Sequence, residues 1–133
     1  MTHDYQTVTN GIIVTVVPRF MEQQSDPDSG HYVWSYSVEI VNNGEDIVQL
    51  ESRFWSIIDA TGYKQTVEGS GVVGEQPVLN PGDSYSYVSG CPLGTSSGMM
   101  AGHFIMRSTS NHTFKAQIPA FSLDSPYEKA VFN

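Results

Sequence analysis

The chain has 133 residues, a length that suits one domain with its own hydrophobic core, and it needs no disulfide or structural metal to fold. Its 14 acidic and 6 basic side chains give a net charge of -8. Because such a surface repels phosphate backbones, nucleic acid is excluded as an expected partner. No apolar run approaches the roughly 20 residues of a membrane-spanning helix, so we predict no direct membrane insertion.

The cysteine content and the first residues indicate the compartment. The single cysteine, Cys91, cannot form an internal disulfide, which is typical of a reducing environment. The first residues contain no basic segment followed by an apolar run, so we predict no signal peptide. We therefore expect a cytoplasmic protein in which residues 1–133 form a single domain.

Short runs rich in β-branched and aromatic residues predict an all-β protein. In residues 31–42, aromatic and aliphatic side chains alternate with serine and glutamate, which places the apolar set on one face of a strand. Residues 47–60 are apolar on both faces and predict a central strand that bends or changes neighbours. The predicted strands span 12–20, 31–42, 47–60, 84–90, 98–108 and 112–121.

Polar segments with glycine separate these runs and predict turns at 42–46, 59–62 and 80–83, and the polar segment 109–113 predicts another hairpin. In the segment 80–83, Pro81 and Gly82 occupy the central positions of a type II turn. Residues 22–30 read as a polar, mobile loop, and no stretch has helical periodicity. The pattern predicts an immunoglobulin-like or fibronectin type III-like antiparallel β-sandwich of about seven to eight strands.

A G-x-G-x-x-G motif stands between two predicted strands, at Gly69, Gly71 and Gly74. In dinucleotide-binding proteins this motif follows a strand and opens a helix, whose N-terminal amides bind pyrophosphate. Here Pro77 and Pro81 exclude a long helix after the glycines. The motif is therefore not expected to mark a Rossmann fold, and no P-loop lysine follows it.

Two interpretations of the Gly69–Gly74 loop remain. The glycines can let the loop turn tightly and pass close to another backbone. Alternatively, successive backbone amides can form a nest for an anion. No lysine or arginine stands between Lys64 and Arg107, so a nest would need a basic side chain from elsewhere. Arg53, on the predicted central strand, is the candidate.

Arg53 and Trp55 are two residues apart on the same predicted strand, so their side chains share a face. Tryptophan and arginine are favoured at the centres of protein interfaces, which makes the pair a candidate partner surface. The alternative is that Trp55 belongs to the core and that Arg53 lies over it.

No group of residues predicts catalysis or metal binding. Cys91 has no basic neighbour in sequence to lower its pKa, and Ser70 is not in a nucleophile elbow. Asp26 and Asp28 resemble the start of a calcium loop that lacks its remaining ligands. The histidines are not spaced for a metal site: His3, His31, His103 and His112. We therefore expect no enzyme, no metal site and no cofactor.

Four segments together closely resemble the bacterial ApaG family: 48–62, 67–93, 98–106 and 118–123. The most specific part is the run GSGVVGEQPVLNPG, which contains the glycine motif and the predicted type II turn. The resemblance implies a fibronectin type III-like sandwich with the glycine motif in a loop. It also implies involvement in cobalt resistance and magnesium efflux, for which no molecular activity is established. Similar domains in eukaryotic F-box proteins and a DNA-polymerase-delta-interacting protein imply protein binding.

The expected function is thus a non-enzymatic binding module that acts through an unknown protein partner, such as membrane cation-transport machinery. The alternative is a phosphate, pyrophosphate or nucleotide sensor that uses the Gly69–Gly74 loop with Arg53. Enzymatic hydrolysis of a nucleotide ranks third. A homodimer is also open, because exposed edge strands of sandwiches often pair.

Overall fold

The structure, a computed structural model, describes residues 4–127 as two packed antiparallel sheets. The strands are β1 (Tyr5–Thr9), β2 (Ile12–Phe20), β3 (Tyr32–Asn42), β4 (Val48–Asp59), β5 (Lys64–Ser70), β6 (Val78–Leu79), β7 (Ser84–Leu93), β8 (Ser97–Ser108) and β9 (Thr113–Asp124). One sheet has the strand order β1-β2-β3-β7, and the other has the order β5-β4-β8-β9, with β6 also paired to β4. Single 3₁₀ turns at Glu22–Gln24 and Pro27–Ser29 join β2 to β3.

The predicted fold class is confirmed, and each predicted strand has a counterpart in the structure. The type II turn is also confirmed, since Gly82 has φ 90° and the Asp83 amide donates to the Asn80 carbonyl at 2.9 Å. Three strands were not predicted: β1, β5 and β6. Strand β5 is exposed at every position except Gly69 and so has no buried apolar face for a pattern to reveal.

Strand β4 is the central strand that the sequence predicts. It pairs with β8 along one side and with β6 and then β5 along the other, so its neighbour changes along its length. A β-bulge interrupts the β4–β8 register between Leu50 and Ser52. After the bulge, Trp55 and Ile57 face the core, while Leu50 faces it before the bulge.

Aromatic side chains connect the two sheets. Trp55 packs edge-on against Tyr36 of the opposite sheet and against Phe121, with ring centroids 5.2 and 6.0 Å apart. Trp34 is buried and its indole Nε1 donates to the carbonyl of Asp124 at 2.9 Å. These contacts satisfy the polar atom of Trp34 while its ring fills the interior.

The two sides of the sandwich are closed differently. On one side, the Thr7 hydroxyl donates to the Gln117 carbonyl at 2.5 Å, and the Gln117 amide donates to the Thr9 hydroxyl at 3.2 Å. These bonds join β1 to β9. On the other side, the Tyr85 hydroxyl donates to a Glu75 carboxylate at 3.0 Å, and β5 forms no ladder with β7. In the described part of the chain no helix is both long and apolar enough to cross a membrane.

Candidate functional site

The glycine motif ends strand β5 in a tight two-residue turn. The Val72 amide donates to the Glu75 carbonyl at 2.8 Å, and the Glu75 amide donates back at 2.9 Å. The central residues, Val73 and Gly74, have φ 43° and 83°, as a type I′ turn requires. The Gly71 amide donates to the Glu51 carbonyl at 2.8 Å. The amides of Gly71, Val72 and Glu75 are therefore already bonded to carbonyls.

Arg53 lies at this loop, as the anion-nest hypothesis requires. It is the cross-strand partner of Gly69, and its Nη1 donates to the carbonyls of Ser70 at 3.1 Å and Gly71 at 2.9 Å. The structure thus brings Arg53 together with the glycine motif. However, these donors point at backbone carbonyls, and the loop amides point at carbonyls of their own.

Each glycine is required by different surroundings. Gly71 has φ 60°, and a Cβ atom there would lie 2.1 Å from the Glu75 carbonyl oxygen. Gly74 has φ 83° and open space around it. Gly69 has an ordinary φ, but a Cβ would lie 2.8 Å from the Arg53 guanidinium. The element that follows the loop is strand β6, not a helix. Backbone geometry is a sufficient reason for Gly71 and Gly74, and the position of the Arg53 side chain is a sufficient reason for Gly69.

Trp55 is 3% exposed and belongs to the core, so its candidate role in a partner surface does not fit the structure. The physical reason is that the face it shares with Arg53 is the inner face of the sheet. Arg53 reaches the edge of this face and is half-buried. Burial raises the pKa of Tyr87, and the nearby Arg53 charge lowers that pKa by a smaller amount.

Other candidate chemistry is weak in the structure. Cys91 is buried, and burial raises the pKa of its thiol to about 11, so the thiolate nucleophile is scarce at neutral pH. His103 pairs with Gln117, whereas His112 lies in the β8–β9 turn, so the two histidines do not meet. Within residues 4–127 no three metal-ligating side chains come together.

The outer face of the five-stranded sheet carries apolar side chains that the sequence reasoning did not single out. Ile58 and Met99 are cross-strand partners and are 39% and 51% exposed. Farther along the same face, beyond the pair Ser56–Ala101, Phe54 and His103 are partners whose rings stack at 5.1 Å with planes 19° apart. We call Ile58, Met99, Phe54, His103 and the adjacent Ile105 the outer strip. The sequence feature that could have indicated the outer strip is the second apolar face of residues 47–60.

Charged residues border this strip. A shallow groove beside Phe54 and His103 is lined by Glu68 of β5 and Lys115 of β9. Burial lowers the pKa of His103, the Lys115 charge lowers it further, and Glu68 acts in the opposite direction. His103 is therefore a mainly neutral aromatic side chain near pH 7, which suits a stack on Phe54.

Comparisons with known proteins agree with one another. Residues 22–108 match the family model of the ApaG domain. The chain is 57% identical over 129 residues to Protein ApaG of Brucella canis, covering 97% of this chain and 99% of that protein. It is 56% identical over 127 residues to Protein ApaG of Methylorubrum extorquens, covering 96% and 98%. A crystal structure of a Bordetella pertussis protein described as ApaA is similar at TM-score 0.85 and 41% identity, covering 88% of this chain and 95% of that one.

Substitutions of the three glycines separate their roles. We expect Gly71→Ala to lower the free energy of unfolding by at least about 3 kcal/mol, because strain and a backbone clash add. Gly74→Ala should cost only about 1–2 kcal/mol, from the left-handed φ alone. Gly69→Ala should displace the Arg53 side chain, so its cost should shrink in an Arg53→Ala background. Urea unfolding of the four variants and the double variant measures these values, and equal costs for Gly71→Ala and Gly74→Ala would contradict the assignment.

The pKa of His103 should respond to its two charged neighbours in opposite directions. We expect Lys115→Met to raise this pKa and Glu68→Gln to lower it, as followed by NMR of the imidazole ring. Lys64→Met, on the same face, is the matched control. Because the folded pKa lies below the ordinary value of about 6.5, the unfolded state binds more protons below that pH. Acidification through this window should destabilise the protein, and His103→Phe should remove that part of the pH dependence.

Proposed function

The chain belongs to the ApaG family, and we propose that it is a non-enzymatic binding module that acts through a protein partner. The process we assign to it is divalent-cation homeostasis in the cytoplasm, in cobalt resistance and magnesium efflux, as the resemblance to the family implies. Ion movement across a bilayer needs a spanning protein, so the partner we propose is membrane cation-transport machinery or a protein that regulates it.

The outer strip is the observation that supports a binding role. Ile58 and Met99 expose apolar surface side by side, and beyond the small pair Ser56–Ala101 the stacked Phe54 and His103 add aromatic surface on the same face. Protein interfaces have centres depleted of charge and enriched in aromatic side chains and methionine. The strip has that composition in a chain whose net charge is -8.

The opposite sheet provides the contrast. Its exposed groove is lined by Thr15, Ser37, Glu39 and Ser86 together with valines. Val88 is 64% exposed there, and Val17, which lies across Ser37 from it, is half-buried, but among the described residues the groove has no methionine or stacked aromatic pair. A single exposed apolar side chain is ordinary on a protein surface, whereas a contiguous group indicates an interaction site.

The rim of the strip is polar on both sides. Lys64 and Glu68 stand on β5, and Lys115 stands on β9. An apolar centre with a rim of mixed charge is the usual anatomy of a protein–protein interface. The partner surface that fits is therefore apolar at its centre and offers both acidic and basic groups at its border.

The matched variants Met99→Asp and Val88→Asp test this proposal, because both residues are exposed and lie on opposite sheets. The variants are expressed in a strain from which the gene for this protein has been deleted. There Met99→Asp should restore cobalt tolerance poorly and Val88→Asp should restore it fully. The reason is that burying a carboxylate at an interface costs about 1–3 kcal/mol or more, roughly tenfold or more in affinity. A photo-crosslinking residue placed at position 99, but not at position 88, should trap one partner in cells. Full restoration by both variants would contradict the strip, and unchanged cobalt tolerance of the deletion strain would contradict the cation role.

The alternative function is an anion sensor that uses the Gly69–Gly74 loop. The observation that favours it is the Arg53 guanidinium beside Gly69, in which only Nη1 has a hydrogen-bond partner within the described residues. Nε and Nη2 keep N–H groups for a phosphate oxygen. This function ranks second because the Gly71 and Val72 amides are already bonded to carbonyls.

Titration of the ¹⁵N-labelled protein separates the two functions. With pyrophosphate and with ATP, we expect no saturable shift of the Gly69, Gly71 or Gly74 amides. Mg²⁺ and Co²⁺ should give only weak, dispersed shifts near acidic side chains. A saturable shift that is confined to the loop and absent from Arg53→Met would instead support the sensor.

A further inference from the structure

The four edge strands of the sandwich are not equally protected. Exposed edges invite pairing with another strand, and proteins usually block them with charged side chains, prolines, bulges or covering segments. Strands β1 and β9 are joined through Thr7, Thr9 and Gln117. Strand β7 contains Pro92. Strand β5 contains no proline, is exposed at every position except Gly69, and packs mainly against its ladder partner β4.

The hydrogen-bonding phase of β5 is fixed at its two ends. The Asp59 amide donates to the Tyr63 carbonyl, and the Gly71 amide donates to the Glu51 carbonyl. Bonded and non-bonded residue pairs alternate along an antiparallel ladder. The odd-numbered residues of β5 therefore bond to β4, and the N–H and C=O groups of Lys64, Thr66 and Glu68 point outward.

We propose that two copies of this chain pair through β5, antiparallel, about a two-fold axis at Thr66. In this register Thr66 bonds to Thr66 of the second copy, and Lys64 lies opposite Glu68 of the second copy. Symmetry repeats that ion pair on the other side of the axis. An interface between identical subunits must be complementary to itself, and the sequence KQTVEGS meets this condition only in particular registers.

Charge and hydrogen bonding select the register. Outward-pointing groups must meet outward-pointing groups, so Lys64, Thr66 and Glu68 must face even-numbered residues. An axis at Lys64 or Glu68 would place like charges opposite each other, which is unfavourable. An axis at Val67 would place Lys64 opposite Ser70, whose carbonyl already accepts a hydrogen bond from Arg53. Only the axis at Thr66 forms both Lys64–Glu68 pairs.

The pairing would join two five-stranded sheets into one continuous sheet. Residues directly opposite in an antiparallel pair point to the same face, so both outer strips would lie on the same side. The contact is a single strand pair with small buried area, which places it among weak, concentration-dependent interfaces. The dimer is a property separate from the proposed function. Its formation can be measured with the purified protein alone, without any partner protein.

Charge reversal tests the register with purified protein. Analytical ultracentrifugation over a wide concentration range should show a reversible monomer–dimer equilibrium. Lys64→Glu and Glu68→Lys should each raise the Kd by roughly tenfold or more, because each replaces two attractive pairs by two repulsive ones. The double variant Lys64→Glu/Glu68→Lys should restore the wild-type Kd. A monomer at all concentrations, or a double variant no tighter than the single variants, would overturn the proposal.

Cysteine cross-linking tests the axis independently. In the proposed register the Cα atoms of the two Thr66 residues are about 5.5 Å apart, within the range of a disulfide. The two Gln65 residues are diagonal to each other, about 7–8 Å or more apart. Under mild oxidation Thr66→Cys should form a disulfide-linked dimer far faster than Gln65→Cys, while buried Cys91 stays reduced. Equal rates for the two variants, or no linked dimer from Thr66→Cys, would place the contact elsewhere and overturn the proposal.

Discussion

A one-residue bulge in strand β4 determines which side chains of this strand face solvent and which face the core. Before the bulge near Glu51, Val48 and Leu50 face the core, and after it Trp55 and Ile57 do. The inward phase therefore changes from even to odd residue numbers within one strand. Without this change Phe54 and Ile58 would point into the sandwich. The outer strip and the inward position of Arg53 both depend on it.

The same bulge explains how far the sequence could predict the site. Residues 31–42 were readable because their alternation is regular and one face is buried. Residues 47–60 were recognisable as a central strand, but both faces are apolar, and alternation then does not reveal which face is inside. The prediction that Arg53 and Trp55 share a face was correct. Whether that face points to the core or to solvent depended on the opposite sheet. Tyr36 and Phe121 bury Trp55, and neither contact leaves a trace in the sequence around it.

Features without an apolar pattern could not be predicted from local sequence. Strand β5 exists because β4 offers it a free edge, and its own residues are almost all exposed. The glycine motif was identified from spacing, but its roles depend on atoms from distant residues. Gly69 leaves room for the Arg53 guanidinium, and Gly71 is needed because the Glu75 carbonyl closes the turn. These contacts are tertiary, so spacing alone left the nest and the tight turn as alternatives.

The bonds between β1 and β9 also determine when the molecule can be completed during synthesis. Thr7 and Thr9 bond to Gln117, a residue more than 100 positions later in the chain. Strand β3 likewise cannot form its ladder with β7 until that strand, about 50 residues away along the chain, is available. Such non-local pairings make folding slow, because long loops must close before their contacts form. On the ribosome β1 therefore keeps an open edge until β9 has emerged, and that edge is exposed to wrong pairing throughout this interval.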